Sequence, residues 1–224
     1  MGILDKYFDN SAQVESETPA DTLPKDEYPA EVINAIVRLA EGTSASNGEP
    51  YAFGETSIQL KVLDGPMKNL TTWLRVNLAL GEPTGDEAAD ARYAYFVQKF
   101  YDATGFGKKV DSNWHREEKP NPKRPGKMLT VFKGKVIKRD QLLAIARSET
   151  EGKALAALLA GCTGIWSLDE KKGTSASSGK EFVNQVLKGV EPLTTENMAK
   201  WRGRSATATG AKGGASAPAS SIYS

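Results

Sequence analysis

Two runs of alternating apolar and polar residues, joined by a turn, constrain this chain more than any other feature. Ser57-Ile58-Gln59-Leu60-Lys61-Val62 puts Ile58, Leu60 and Val62 on one side. After the turn sequence Asp64-Gly65-Pro66, Leu70, Thr72, Leu74, Val76 and Leu78 alternate with Thr71, Trp73, Arg75 and Asn77. Successive side chains of a strand point to opposite faces, so both runs predict half-buried strands, and together a β-hairpin. One face is apolar. The other carries Gln59, Lys61, Trp73 and Arg75. An isolated hairpin is marginally stable at best, so other strands must cover the apolar face.

Three further strands are predicted. Tyr28 to Leu39 contains Val32, Ile33, Ile36 and Val37, whose spacing breaks a strict period of two and calls for a bulge or a strong bend. Gly164 to Leu168 and Glu181 to Leu187 come late in the chain and flank a basic, Ser-rich loop, Lys171 to Lys180. Between the third and fourth strands a helix starts at Thr84 or Asp86 and stops at Gly105, with Ala89, Tyr93, Phe96, Val97 and Phe100 along one stripe. Gly107 to Arg139 reads mostly as loop, with a short hairpin around Met128 to Ile137. Gln141 to Ala160 reads as helix, in two pieces at Glu151-Gly152. The expected fold class is therefore mainly β with α insertions: a five-stranded OB-like Greek-key barrel, a helix after its third strand, and a basic loop plus helical insertion.

The chain has 224 residues, enough for one core with tails. Residues 1–23 read as an acidic flexible arm, 24–202 as the folded domain with 107–160 inserted, and 203–224 as a flexible Gly/Ala/Ser tail. Ile3, Leu4, Tyr7 and Phe8 near the start could dock on the body or on a partner. No apolar run approaches the length of a bilayer span and the start does not resemble a signal peptide, so the expected location is the cytoplasm, with no membrane partner. Cys162 is the single cysteine, which excludes an internal disulfide and any multi-cysteine zinc site.

The net charge of +1 conceals two opposed blocks. Residues 1–31 hold eight acids against Lys6 and Lys25, whereas residues 108–139 hold eleven Lys and Arg against Asp111, Glu117 and Glu118. A local excess of that kind is a statement about partners. Enzymatic arrangements are hard to assemble. His115 is the only histidine, and neither a phosphate-binding Gly-rich loop nor a dinucleotide fingerprint is present. The acids gather in the arm and not at strand ends, which disfavours a two-metal nuclease site. The expectation is a protein that is not an enzyme and needs no cofactor.

Single-stranded nucleic acids are gripped by cationic grooves that follow the phosphates and by aromatic faces on which bases stack. Both ingredients occur here. Lys61, Trp73 and Arg75 share the polar face of the hairpin, although Trp73 has the alternative of packing under the helix. Lys108, Lys109, Lys123, Arg124, Lys127, Lys133 and Lys135 form the basic loop, with Trp114 and Phe132 interleaved, and Trp166 is a further stacking candidate. No recognition helix or zinc-finger spacing suggests sequence-specific readout.

Leu23-Pro24-Lys25-Asp26-Glu27-Tyr28-Pro29-Ala30, then Leu63-Asp64-Gly65-Pro66-Met67-Lys68-Asn69-Leu70 leading into Trp73, resemble small phage and prophage proteins encoded near recombination genes. That family is regarded as single-stranded-DNA-binding, with an OB-type barrel. Ala103-Thr104-Gly105 and Lys180-Glu181-Phe182-Val183-Asn184-Gln185-Val186 occupy matching places, so the resemblance covers roughly residues 23–192. It implies sequence-tolerant binding of single-stranded DNA in phage DNA replication or recombination, with recombination or replication proteins as further partners, in the cytoplasm of a bacterial host cell. Two departures stand out: residues 107–160 are longer than the usual connection, and Ala219 to Ser224 lacks the acidic tip that many single-strand binders use to recruit partners. The competing readings are a protein-interaction or structural phage component without nucleic-acid binding and, behind it, a metal-dependent nuclease.

Overall fold

In the computed structural model, residues 23–44, 48–122, 124–174 and 181–212 are described; the acidic arm and most of the expected tail lie outside them. Among the described residues, seven strands and five helices follow one another: β1 (Glu27–Thr43), β2 (Pro50–Val62), β3 (Thr71–Val76), α1 (Glu87–Ala103), α2 (Phe106–Val110), β4 (His115–Pro120), β5 (Met128–Lys133), α3 (Arg139–Arg147), α4 (Glu149–Leu159), β6 (Thr163–Thr174), β7 (Glu181–Glu191) and α5 (Thr195–Lys212). The chain is mainly β with helices. β1, β2, β3, β7 and β6 stand in that order around a ring, and β6 returns to pair with β1. Neighbours run antiparallel except at the β3–β7 seam, which is one parallel pair, Arg75 with Val186. The remaining two strands, β4 and β5, pair with each other in a separate ribbon.

Period-two patterning translates directly into the ring's interior. Ile58, Leu60, Val62 and Leu74 are fully buried and meet Ala30, Val32, Trp166, Leu168 and Val190 from the other strands. Each fully buried aliphatic side chain stabilises the fold by roughly 1.5–3 kcal/mol. β1 does contain the irregularity that its sequence calls for, a register shift against β2 between Val32 and Asn34. Val32 donates across it to the Cys162 carbonyl at 2.8 Å.

α1 closes one end of the ring. Asp86 caps it by accepting from Ala88 and Ala89 at 3.0 Å, and its buried stripe includes Val97, Phe100 and Tyr101. Phe100 meets Trp166 edge-on at 5.8 Å. Tyr101 donates its hydroxyl to the Leu78 carbonyl at 2.8 Å, and burial holds that phenol far above its usual pKa.

Between residues 105 and 160 the structure departs from expectation. α2 is a helix the sequence did not announce, and the hairpin pairs His115–Pro120 with Met128–Lys133, upstream of the expected position. The two-piece helix breaks at Ser148, whose hydroxyl accepts from Glu151, and not at Gly152. Gly152 lies inside α4 where the helix runs against β1, with a Cβ there only 3.4 Å from the Val37 carbonyl oxygen.

α5 continues through the expected boundary at Arg202 to Lys212. Trp201 anchors it, buried with its indole donating to the Glu27 carbonyl at 2.7 Å, while Arg202 pairs with Asp64 at 2.8 Å and Arg204 with Glu27 at 2.7 Å. Among the described residues no helix is long and apolar enough to cross a membrane.

Candidate nucleic-acid interface

The outward sides of β1, β2 and β3 form one continuous surface, because register aligns them in rows. Asn34, Gln59 and Trp73 make one row; Ile36, Ser57 and Arg75 make the next. Arg38 faces Glu55, and Lys61 lies between Glu31 and Thr71. Trp73 does not pack under the helix: it is 43% exposed, while Thr72 and Leu74 beside it point inward. Glu55 holds two guanidinium groups on this surface, accepting at Oε1 from Arg38 at 2.9 Å and from Arg75 at 2.8 Å.

From Trp73 and Arg75 a groove of about 1250 Å³ runs over the β3–β7 seam toward α1, reaching Tyr93, Arg139, Gln185 and Val186. Gln185 spans the seam, accepting from the Thr72 hydroxyl and donating to the Leu23 carbonyl. The groove is not strongly basic, since Glu55, Glu82 and Asp90 line it alongside Arg75 and Arg139. Its character is that of a mixed polar channel with one half-exposed indole.

The basic block sits elsewhere. Lys108 and Lys109 are on α2, and Arg124, Lys127, Lys133 and Lys135 are exposed on or beside the β4–β5 ribbon. Lys123 lies outside the described residues. Lys109 is engaged in the fold, donating to the Ala160 carbonyl at 2.7 Å at the end of α4. None of these lysines and arginines lines the Trp73 groove. The ribbon docks on α1 through Tyr95 and Asp102, a stripe roughly opposite the Ala89, Tyr93 and Phe96 stripe that borders the groove. The expected union of exposed indoles and a lysine-rich flap in one cleft is therefore corrected: they occupy separate surfaces.

Three expected stacking residues are also corrected. Trp166 is 0% exposed, with its indole donating to the Ala30 carbonyl at 3.0 Å inside the ring. Trp114 is 3% and Phe132 8% exposed; their rings stack at 6.2 Å and fix the base of the ribbon to Tyr101 and Tyr95. Buried rings cannot receive a base. Of the aromatic candidates, Trp73 alone is open.

Sequence reasoning missed Arg38, Asn34 and Ile36. They join the surface because the β1 bulge resets which residues face outward, and the one available signal was the unbroken polar alternation on β2 that must pair with them. Arg139 was counted within the basic block but reaches the groove through α3, which no local pattern announces.

His115 is exposed on β4, with Nδ1 2.8 Å from the Asn113 carbonyl and Nε2 3.2 Å from Glu117. Those contacts, the backbone one first, raise its pKa above the ordinary histidine value. Cys162 is buried, which pushes its thiol pKa upward. Among the described residues no group of three or more His, Cys, Asp or Glu side chains is arranged to hold a metal ion.

No family model matches this chain, and no curated protein is similar to it. Among solved structures, yeast RPA bound to ssDNA aligns over 89% of this chain and 94% of that chain, at 8% identity and a TM-score of 0.37. A likeness that loose fixes neither fold nor function.

Proposed function

We propose that the five-stranded ring is an OB-like Greek-key barrel that binds single-stranded DNA, without strong sequence preference, on the outward face of β1, β2 and β3. The ring order, with a helix between the third and fourth barrel strands, fits that architecture. One observation carries the reading: a half-exposed indole, Trp73, stands beside the exposed guanidinium of Arg75 on a groove of about 1250 Å³. Bases stack on Trp73, while Arg75, Arg38 and Lys61 meet phosphates and Asn34, Gln59 and Ser57 supply adaptable hydrogen bonds. Sequence tolerance follows because every base has a stacking face. No cofactor takes part. The sequence resemblance to phage and prophage single-strand binders supports a place in phage DNA replication or recombination.

Titrating a fluorescent single-stranded oligonucleotide across salt tests this. Wild type binds, and binding weakens with salt. Trp73→Ala loses roughly 5- to 150-fold in affinity, the equivalent of about 1–3 kcal/mol for one stacked base. Unchanged affinity in that variant overturns the reading. A protein-docking role for the same face has Ile33 and Ile36, both exposed on β1, in its favour; it gains if no oligonucleotide binding is detected at low salt.

A further inference from the structure

The β4–β5 ribbon is built unlike the rest of the molecule. Its strands pair only with each other, from His115 opposite Lys133 to Pro120 opposite Met128, giving an arm about 20 Å long at strand rise. The base is clamped. A Cβ at Gly107 would lie 2.5 Å from the Trp114 indole and one at Gly134 2.6 Å from it, so only glycine lets both segments close on that ring. Beyond this clamp the tip end of the ribbon is exposed, with Met128 58% and Leu129 43% open.

Its charge is concentrated as nowhere else. Between residues 115 and 135 the sequence holds seven Lys and Arg against Glu117 and Glu118. Glu117 is already engaged by His115 and Lys119, and Glu118 accepts from Thr130. Yet the ribbon offers no indole or phenyl ring for stacking, since Trp114 and Phe132 are turned into the base and His115 is held by Asn113 and Glu117. A single strand gains from a protein surface that restacks its bases. Duplex DNA does not need one, because its bases already stack on each other, and it presents dense phosphate charge and a major groove about 12 Å wide that admits a two-stranded β-ribbon. Exposed Met128 and Leu129 suit the apolar component of a groove, such as thymine methyl groups.

Charge without rings on the ribbon complements a ring without strong net charge at Trp73. We infer that the ribbon is a second DNA-binding element that grips duplex flanking the single strand, so that the preferred ligand is a single-strand/duplex junction. The junction preference rests on the single-strand reading of the Trp73 face; duplex contact by the ribbon does not.

Three labelled probes decide it by fluorescence anisotropy: a single-stranded oligonucleotide, a blunt duplex, and the same duplex carrying a single-stranded tail. Wild type binds the tailed duplex at least tenfold more tightly than either simple probe. The triple variant Arg124→Ala, Lys127→Ala and Lys133→Ala, all at exposed positions, abolishes that preference and the blunt-duplex binding while changing single-strand affinity by less than twofold. Its salt slope on the tailed probe falls by about 2–3, as expected when three phosphate contacts go. Trp73→Ala has the reverse pattern, losing single-strand affinity and keeping blunt-duplex binding. Equal wild-type affinity for tailed and single-stranded probes overturns the inference. So does a triple variant that loses single-strand binding in proportion, which would make the ribbon part of one common site. If Trp73→Ala leaves single-strand binding intact while the triple variant still loses blunt duplex alone, the function proposed for the Trp73 face falls and the ribbon's duplex contact stands.

Discussion

The β1–β2–β3 face and the β4–β5 ribbon are both antiparallel sheets with exposed cations, yet they spend their aromatic residues in opposite ways. On β2 and β3 the inward apolar positions are held by aliphatic residues, Ile58, Leu60, Val62, Leu74 and Val76, and Trp73 faces solvent beside Arg75. The ribbon has only two strands and no interior, so Trp114 and Phe132 are consumed in attaching it to α1. A sheet that closes on itself can afford an exposed ring; a projecting one cannot. The same interleaving of cationic and aromatic residues therefore leaves an exposed indole in one place and a buried anchor in the other.

The strongest way to break this comparison is Trp114→Ala. It removes a buried indole that touches Tyr101 and Phe132, and large aromatic truncations of this kind cost about 3–5 kcal/mol. Thermal unfolding should show a markedly lower midpoint, and hydrogen exchange should show the ribbon amides losing protection first. A variant with wild-type stability would mean that the ribbon is not anchored by this ring. Trp73→Ala, by contrast, removes an exposed ring and should leave the unfolding midpoint nearly unchanged while weakening oligonucleotide binding.

A smaller effect sharpens the ring side of the contrast. Glu55 contacts Arg75, and it engages Arg38 through the same oxygen. Glu55→Gln keeps an acceptor for both guanidinium groups and deletes the negative charge. Single-strand affinity should rise by about two- to fivefold, the scale of an exposed ion pair's contribution. A loss of affinity would instead show that the carboxylate's grip on the arginines, and not its charge, governs binding.

The difference between the two regions also explains what could be read from sequence. Strict alternation in residues 57–62 and 70–78 identified Ile58, Leu60, Val62 and Leu74 as core, because parity on a regular strand decides facing by itself; it put Trp73 on the opposite face but left open whether the helix covers it. Parity failed where register shifts. β6 is irregular against β7 between Ser167 and Leu168, and the consecutive Ile165 and Trp166 are both buried, so alternation could not place Trp166. Around Trp114 the decisive partners are Gly107, Gly134, Tyr101 and Phe132, none of them local in pattern, and the surrounding lysines suggested exposure where the indole is hidden. α5 was illegible for a similar reason: its Ala, Gly, Ser and Thr composition resembles a tail, and what fixes it is distant in sequence, Trp201 and Arg204 against Glu27 and Arg202 against Asp64.

The smallest expected effect tests whether the ribbon's charge is what binds. His115 stands at its base opposite Lys133, and its two ring nitrogens contact the Asn113 carbonyl and the Glu117 carboxylate. Protonation lets both nitrogens donate, so these contacts favour the imidazolium and raise the pKa, the Asn113 bond most; Lys133 opposes them more weakly. The charge is therefore gained as pH falls through a value above the ordinary histidine pKa. Lowering pH from about 8 to about 6 should strengthen binding to the tailed duplex by around twofold, one extra cation's worth at an exposed site. The single-stranded probe should show no such step, because His115 is remote from the Trp73 groove. His115→Gln should flatten the profile on the tailed duplex alone. An identical pH step with both probes would place the titrating group on the ring and remove the electrostatic distinction between the two surfaces.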